Sequence, residues 1–346
     1  MFLPKISQRN IADTGVKIDT LGFGCASLGN LYQSMPDADA FDVLSAAWDA
    51  GFRYFDTAPH YGQGLSERRV GDYLRQFGDQ NYLLSTKVGR LLRPAGYAIE
   101  RHGFVSPMPF DFDYDYSFDG IMRSFEDSLQ RLGLDCIDIL YMHDIGTMTH
   151  GDDNYEYFKT AMDGGYRAMD ELRSDGRVKA IGLGVNEWQV CEQALDYGDW
   201  DCFLLAGRYT LLEQKALDTF LPKCEKRNCS IIIGGAYNSG ILATGVRGSG
   251  PHLYNYLDAP DHIISKVAKI EAVCDLFGVP LAAAALQFPL AHPKIVSVIP
   301  GIGKRRRIAS TLDLFNHAIP DEFWAALKER KLIHSSAPTP KQGDSR

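Results

Sequence analysis

The sequence predicts a closed parallel barrel, a single (β/α)8 domain of the TIM-barrel type with loop insertions. Short runs rich in β-branched and aromatic residues recur along the 346 residues, each followed by a longer stretch with helical periodicity. Eight such runs are present, the number that closes a small barrel. The competing architecture, an open doubly wound sheet, calls for GxGxxG after its first strand, and LGFGCASLG lacks that spacing. No segment repeats in the manner of a solenoid or propeller.

The strands are expected at Asp19–Gly24, Tyr54–Thr57, Tyr82–Val88, Ile137–His143, Ala180–Val185, Cys202–Ala206, Ser230–Gly235 and Val296–Pro300. The helical stretches between and after them are Ala38–Ala50, Ser66–Arg75, Asp119–Leu132, Tyr155–Asp175, Trp188–Tyr197, Lys215–Lys226, Pro260–Phe277 with Leu281–Ala291, and Arg305–Phe315. Ser66 stands where it would cap the second helix. Gly51, Gly133, Gly176 and Gly278 mark helix ends, because glycine accepts the left-handed backbone found there. The domain is read as residues 1–334, and 335–346 as a polar, mobile tail without chemistry.

The hydrophobic fraction of 45% and charged fraction of 23% are those of an ordinary globular protein. A formal charge of −8 disfavours polyanionic partners, so a small-molecule substrate is expected rather than nucleic acid or a membrane surface. The seven cysteines lack the close spacing of a zinc site or a small disulfide scaffold, and are expected to be reduced, buried thiols. MFLPKISQRN lacks the apolar core of a signal peptide, and no run approaches about 20 apolar residues, so the cytoplasm is the expected location. Oligomeric state is not encoded in any motif of the chain.

Four residues carry the strongest chemical signal. Asp56 and Tyr61 lie five apart in FRYFDTAPHYGQGLSE, while Lys87 and His143 each end a short apolar run. In a barrel these positions gather at the C-terminal mouth, together with Asn186. A phenol with a pKa near about 10 is a poor acid or base at neutral pH, so a catalytic Tyr needs a neighbouring cation. Lys87 can be that cation, and Asp56 can hold it. His60 is read as a loop or pocket-lining residue.

The segments FDTAPHYGQGLSE, LSTKVG, DILYMHD and IGLGVNE resemble the aldo-keto reductase superfamily in identity, order and spacing, over about 300 residues. GRYTLLEQ and GGAYNSGILATG resemble its bacterial branch of L-fucose and D-threo-aldose 1-dehydrogenases, which also holds pyridoxal 4-dehydrogenases. The resemblance implies hydride transfer between a nicotinamide, NAD or NADP, and a carbonyl or carbinol carbon, without a metal. It implies Tyr61 as the proton donor or acceptor, with Lys87 depressing its pKa. Asp56 would hold Lys87 protonated, and His143 would place the substrate oxygen.

It also implies a set of cofactor contacts. Asn186 is expected to bind the carboxamide, since an amide both donates and accepts. Relatives often have Ser-Asn where this chain has Gly184-Val185-Asn186, and a Gln where it has Ala206 and Gly207; Tyr209 or Arg208 are candidates to compensate. Gly235, Ser239, Gly240 and Leu242 are expected to contribute after the seventh strand. Pro300, Gly301 and Gly303 would let backbone approach the pyrophosphate, with Arg307 at hand for a 2′-phosphate. Gly301 stands where NADP-selective relatives often carry Lys, which inclines the reading towards NAD.

The insertion Arg101–Phe118 is too aromatic for a linker and too acidic for a buried strand, and reads either as a lid or as a surface excursion packed on itself. Thr147–Asn154 and Gly245–Asp258 are the other loops expected to frame the pocket, and Trp188 is expected either in core or near the cofactor. The first expected function is oxidation of a sugar hemiacetal to its lactone. The second is oxidation of pyridoxal to 4-pyridoxolactone, since pyridoxal also closes to a hemiacetal. The third is a cofactor-sensing regulatory subunit with little turnover.

Overall fold

Apolar residues on both faces mark strands that will be covered on both sides. In the computed structural model, which describes residues 6–78 and 81–341, they form β1 (Phe23–Gly24), β2 (Tyr54–Asp56), β3 (Leu83–Val88), β4 (Ile139–His143), β5 (Ala180–Val185), β6 (Cys202–Ala206), β7 (Ser230–Gly234) and β8 (Ile295–Ile299). Each pairs in parallel with the next. The ring closes between β8 and β1, where Gly22 N–H donates to Val298 O (2.9 Å) and Gly24 N–H to Pro300 O (3.1 Å). Gly22 permits that approach, for a Cβ there would lie 2.4 Å from the ring of Tyr54. The fold is the expected barrel.

The strand bounds agree with expectation within two residues except the first, which is shorter. Lys17–Asp19 turns away to pair with Gln8–Asn10, and this hairpin delivers Ile11 and Ile18 into the barrel interior beside Tyr54, Ile139, Tyr141 and Ile232. A larger apolar shell lies between the strands and the helices. The long expected helix Tyr155–Asp175 is broken into Asn154–Thr160, a π-helical turn Ala161–Gly165, and Tyr166–Ser174. A further helix, Asp321–Glu329, was not expected; Pro320 and two acids open it, and Phe323, Trp324 and Leu327 bury its inner face.

Ser66 does not cap the second helix, which starts at Leu65 after Gly64. Its hydroxyl is buried instead, donating to Cys25 O (2.8 Å) and bonded to Thr57 Oγ1 (2.8 Å). Gly51, Gly133, Gly176 and Gly278 all have positive φ at helix ends, as expected. All seven cysteines are unpaired and six are buried, but Cys136 is exposed in the loop before β4. The tail expected from Ser335 packs down within the described residues: Ala337 is fully buried and Pro340 is buried, while 342–346 lie outside them. Among the described residues no single helix is long and apolar enough to cross a membrane.

The insertion begins earlier than expected, at Arg90. Arg90–Pro94 pairs antiparallel with Phe110–Tyr114, and a smaller hairpin, Glu100–Arg101 with Phe104–Val105, forms its far end. Period-two alternation explains the FDFDY composition. Phe112 and Tyr114 receive the Arg90 guanidinium at 4.7 and 5.2 Å, while Asp113 pairs with Arg93 and Asp111 with His102 on the other face. The far end is stitched to the loop after β1, by Tyr32 N–H to Gly103 O (3.1 Å) and Val105 N–H to Asn30 O (3.0 Å). This insertion, the lid, is therefore a pair of hairpins pinned to the loop after β1 by backbone hydrogen bonds.

Two glycine substitutions separate close packing from backbone strain. At Gly182 a Cβ would lie 1.6 Å from Cys202 O, so Gly182→Ala is expected to destabilise by about 3 kcal/mol or more, or to prevent folding. Gly176 has φ +73 and nothing within 4 Å of a Cβ, so Gly176→Ala is expected to cost about 1 kcal/mol. Chemical denaturation of both variants checks the ranking.

Candidate active site

The barrel brings Asp56, Lys87 and His143 to one mouth, at or next to the ends of β2, β3 and β4, with Asn186 just past β5. Tyr61 follows on the loop after β2. Two glycines fix that loop: a Cβ on Gly29 would lie 2.5 Å from Tyr61 C, and one on Gly62 would lie 2.4 Å from Gly29 O. The close contact of these backbones fixes the loop that carries Tyr61.

Lys87 is 1% exposed and Asp56 2%. Lys87 Nζ donates to Asp56 Oδ2 (2.8 Å) and Thr57 O (2.9 Å), and stands 4.7 Å from the centroid of the Tyr61 ring. Burial works to deprotonate Lys87, but Asp56 and then Tyr61 outweigh it and hold the ammonium well above its ordinary range. Burial pushes the Asp56 carboxyl up, opposed by Lys87 and by a hydrogen bond from Ser85. Beneath them a ladder of hydroxyls fills the barrel. Ser85 Oγ donates to Asp56 Oδ1 (2.7 Å), and Tyr54 Oη lies 3.0 Å from Ser85 Oγ and 3.4 Å from Tyr141 Oη.

Burial raises the Tyr61 phenol above its ordinary pKa, and the Lys87 charge is the largest opposing influence. The lowering expected from Lys87 is present, but loss of water outweighs it, so the resting phenol is protonated. Burial, then the charges of Arg90 and Lys87, push His143 far below its ordinary pKa, so the imidazole is neutral. Its ring meets that of Tyr61 edge-on at 6.3 Å, and its carbonyl accepts from Tyr116 Oη (2.7 Å). His60 is held neutral in the same way, by burial first.

Tyr61, Lys87, His143 and His60 border a cavity of about 410 Å³. The lid contributes His102, Gly103 and Phe104 to its wall, and the hairpin Leu253–Tyr254 with Leu257–Asp258 contributes Tyr256 from its turn. Among the described residues Asp144 is the sole carboxylate in the wall. Sequence reasoning missed Asp144, Phe104 and Tyr256, as well as Arg90 behind them. A second cavity of about 560 Å³ shares Leu31 and Tyr32 with the first and runs to Asp39, Asp42, Gly301, Gly303, Lys304, Arg305 and Arg307. Arg69 shapes the shared loop, donating to Leu28 O (2.6 Å), Asn30 Oδ1 (2.9 Å), Met35 O (2.6 Å) and Asp37 Oδ1 (2.8 Å).

Of the residues expected at a cofactor, Asn186 lines the first cavity, and Gly301, Gly303 and Arg307 line the second. Arg208 Nε donates to Asn186 O (2.7 Å) and Arg208 Nη1 to Asn255 Oδ1 (2.8 Å), joining the strand end to the hairpin turn. Ser239 accepts from Tyr256 N–H (3.0 Å), and Gly235 packs on Gly207. Gly240 has φ +104 beside Ser239, and Leu242 is fully buried. Pro300 is taken up in barrel closure. Tyr209 lies elsewhere: it is fully buried between Phe288 (5.5 Å) and His292 (5.7 Å), because the ring points outward into the helical layer. Trp188 likewise packs on core, stacking with Phe220 at 6.5 Å. The loop Gly245–Asp258 frames the cavity through Tyr256, whereas Thr147–Asn154 does not line it.

Two cavities that share Leu31 and Tyr32, with Gly301, Gly303 and the basic residues Lys304, Arg305 and Arg307 in the second, have the lining an extended dinucleotide needs. At Gly303 a Cβ would lie 3.2 Å from Ser27 Cβ, narrowing the second cavity where the backbone now borders it.

Comparison with known proteins agrees with this geometry. The model of the aldo/keto reductase family matches residues 20–331. The chain is 45% identical over 345 residues to a pyridoxal 4-dehydrogenase of Microbacterium luteolum, covering 96% of this chain and 100% of that protein. It is 39% identical over 340 residues to a D-threo-aldose 1-dehydrogenase of a Pseudomonas species, covering 95% and 98%. In fold it is similar to an aldo-keto reductase from Bacillus halodurans in its holo form, with a TM-score of 0.72 at 22% identity over 97% of this chain and 99% of that one.

The neutral histidines give a pH signature. Unfolded chain binds protons on His143 and His60 below about pH 6.5 that the folded site refuses, so stability falls as pH drops through that value. Thermal unfolding between about pH 7.5 and 5.5 is expected to lose more stability in the unaltered protein than in His143→Gln; equal losses contradict the assignment.

Proposed function

The chain belongs to the aldo/keto reductase family of oxidoreductases, and on that premise we propose that it oxidises pyridoxal, as its cyclic hemiacetal, to the lactone with NAD+. The observation that carries the proposal is the wall of the first cavity. Rings of Tyr61, His60, Phe104, His143 and Tyr256 surround it, with one carboxylate. A flat heteroaromatic hemiacetal buries its faces on such rings, whereas a sugar asks for an acceptor or donor at every hydroxyl. The 45% identity to a pyridoxal 4-dehydrogenase over nearly the whole chain supports the same choice.

In the forward reaction the Tyr61 phenol first gives its own proton to solvent, and the phenolate so formed takes the hydroxyl proton of the hemiacetal. Burial makes a free phenolate unfavourable, so the phenolate forms only against the Lys87 ammonium. Asp56 keeps Lys87 protonated throughout. Neutral His143 directs the substrate oxygen by hydrogen bonding without adding a charge that would compete with Lys87. Asn186 would hold the carboxamide, and Gly301, Gly303 and Arg307 would hold the remainder of the dinucleotide. The bound nicotinamide supplies the hydride acceptor.

NAD is favoured over NADP by the second cavity. Asp39 and Asp42 line it, Asp42 forms an ion pair with Arg305, and Gly301 brings no side chain. A 2′-phosphate there would meet Asp39 and Asp42 beside Lys304, Arg305 and Arg307, with Arg305 paired to Asp42, so the two carboxylates offset much of the positive charge it would need.

Purified protein incubated with NAD+ or NADP+ and pyridoxal, L-fucose, L-galactose or D-arabinose, followed by absorbance of the reduced cofactor, tests the assignment. Pyridoxal with NAD+ is expected to give the largest kcat/KM; an aldose exceeding it overturns the substrate. Tyr61→Phe is expected to lower kcat by about 10²- to 10⁴-fold with cofactor affinity unchanged. Replacing Asp39 and Asp42 together by Asn is expected to lower KM for NADP+ by about 10-fold, measured at fixed pyridoxal.

A further inference from the structure

Asp144 is the residue of the first cavity that the proton chemistry leaves unused. It follows His143 directly, and its backbone takes a left-handed conformation (φ 51) that a non-glycine residue rarely adopts. Its N–H donates to Gly184 O (3.0 Å), pinning that strained turn between β4 and β5. The carboxylate consequently sits in the cavity wall between His143 and Asn186, with the side chain 11% exposed.

Its partners leave it an open acceptor. Arg90 Nη2 donates to Oδ2 (2.5 Å), and His143 Nε2 lies 3.3 Å from the same oxygen. Arg90 is 5% exposed and held against the rings of Phe112 and Tyr114, so it stays where it is. Oδ1 takes a long 3.3 Å hydrogen bond from Asn186 Nδ2. An ionised carboxylate has about four lone-pair sites, so capacity remains on the side facing the cavity. Burial pushes this carboxyl up, and the Arg90 guanidinium is the largest force opposing it.

The geometry points to Asp144 as the residue that selects the substrate, by accepting a hydrogen bond from a donor on the substrate ring. That donor is an N–H or O–H: the protonated ring nitrogen or ring hydroxyl of a pyridine hemiacetal, or the hydroxyl beside the reacting carbon of a sugar. This rests on the hemiacetal reading above. Acceptor capacity left unfilled on a buried carboxylate is penalised even when its charge is paired, so hemiacetals without such a donor bind less well. Arg90 is a positioning residue that acts through Asp144 and ties the base of the lid to it.

The test compares pyridoxal with 2-(hydroxymethyl)benzaldehyde, which closes to the same hemiacetal ring but carries neither ring nitrogen nor ring hydroxyl. The unaltered protein is expected to prefer pyridoxal by roughly 10- to 100-fold in kcat/KM, the factor of a hydrogen bond to a charged group. Asp144→Asn is expected to lose a similar factor on pyridoxal, chiefly in KM, and little on the benzaldehyde, with NADH affinity by fluorescence unchanged. 3-Deoxypyridoxal, assayed at a pH low enough to keep its ring nitrogen protonated, then separates the sources: retained preference points to the ring nitrogen, lost preference to the hydroxyl, and both sustain the assignment.

An equal loss on both substrates in Asp144→Asn, or no preference in the unaltered protein, overturns the inference, and the second comparison needs no variant to fold. If pyridoxal is inert but L-fucose is oxidised, the substrate reading has failed. The inference is then judged by the same comparison between L-fucose and 2-deoxy-L-fucose. If no hemiacetal is oxidised, both fall together.

Discussion

The buried ion pair between Lys87 and Asp56 is the constraint on which the rest of the site depends. Neither charge is tolerable alone at that depth, and their attraction offsets the desolvation only because the geometry is tight and the remaining lone pairs are used. Thr57 O takes a second Lys87 proton, and Ser85 satisfies the second Asp56 oxygen. Tyr54 and Tyr141 extend that hydrogen bonding into the barrel, where the N-terminal hairpin closes off water with Ile11 and Ile18. Deleting either Lys87 or Asp56 leaves the other as an uncompensated buried charge. That makes the barrel core and the proton site one cooperative unit.

The mouth is built differently, from loops that hold each other. The lid lies on the loop after β1 through backbone hydrogen bonds, that loop is gathered by Arg69, and Tyr61 is wedged through Gly29 and Gly62. The hairpin carrying Tyr256 is coupled to Asn186 by Arg208. Its turn residues Asn255 and Tyr256 both have positive φ, so a bulky ring occupies a position that usually favours glycine. Strain of this kind is retained where a side chain must be aimed, and Tyr256 is aimed into the cavity wall.

The sequence disclosed the barrel and the four polar residues for the same reason. Strand ends converge in a barrel whatever their separation along the chain, so Asp56, Lys87 and His143 are placed by counting strands alone. The lid was legible only as an odd composition, because its pairing joins Arg90 to Tyr114 across an irregular excursion. The alternation in FDFDY was the available signal, and it indicates a half-buried strand whose partner is the preceding RLLRP. Asp144 was hidden by its neighbour: it adjoins His143, and a left-handed backbone that turns its carboxylate into the cavity leaves no composition signature. Tyr209 was misplaced because an aromatic after a strand faces either layer, and here it faces the helices. Ser66 had the spacing of a cap, but the helix starts earlier and the hydroxyl is used to tie two loops.

The central claim is that the Lys87 charge makes a buried phenol usable as a base. The pH dependence of single-turnover cofactor reduction, compared between the unaltered protein and Lys87→Met, addresses it most directly. Tyr61 is raised by burial and lowered by Lys87, so removing the ammonium should move the rising limb of the profile to higher pH by about one unit or more. A limb that keeps its position while the rate falls would contradict the account, leaving Lys87 a structural partner of Asp56 and no more.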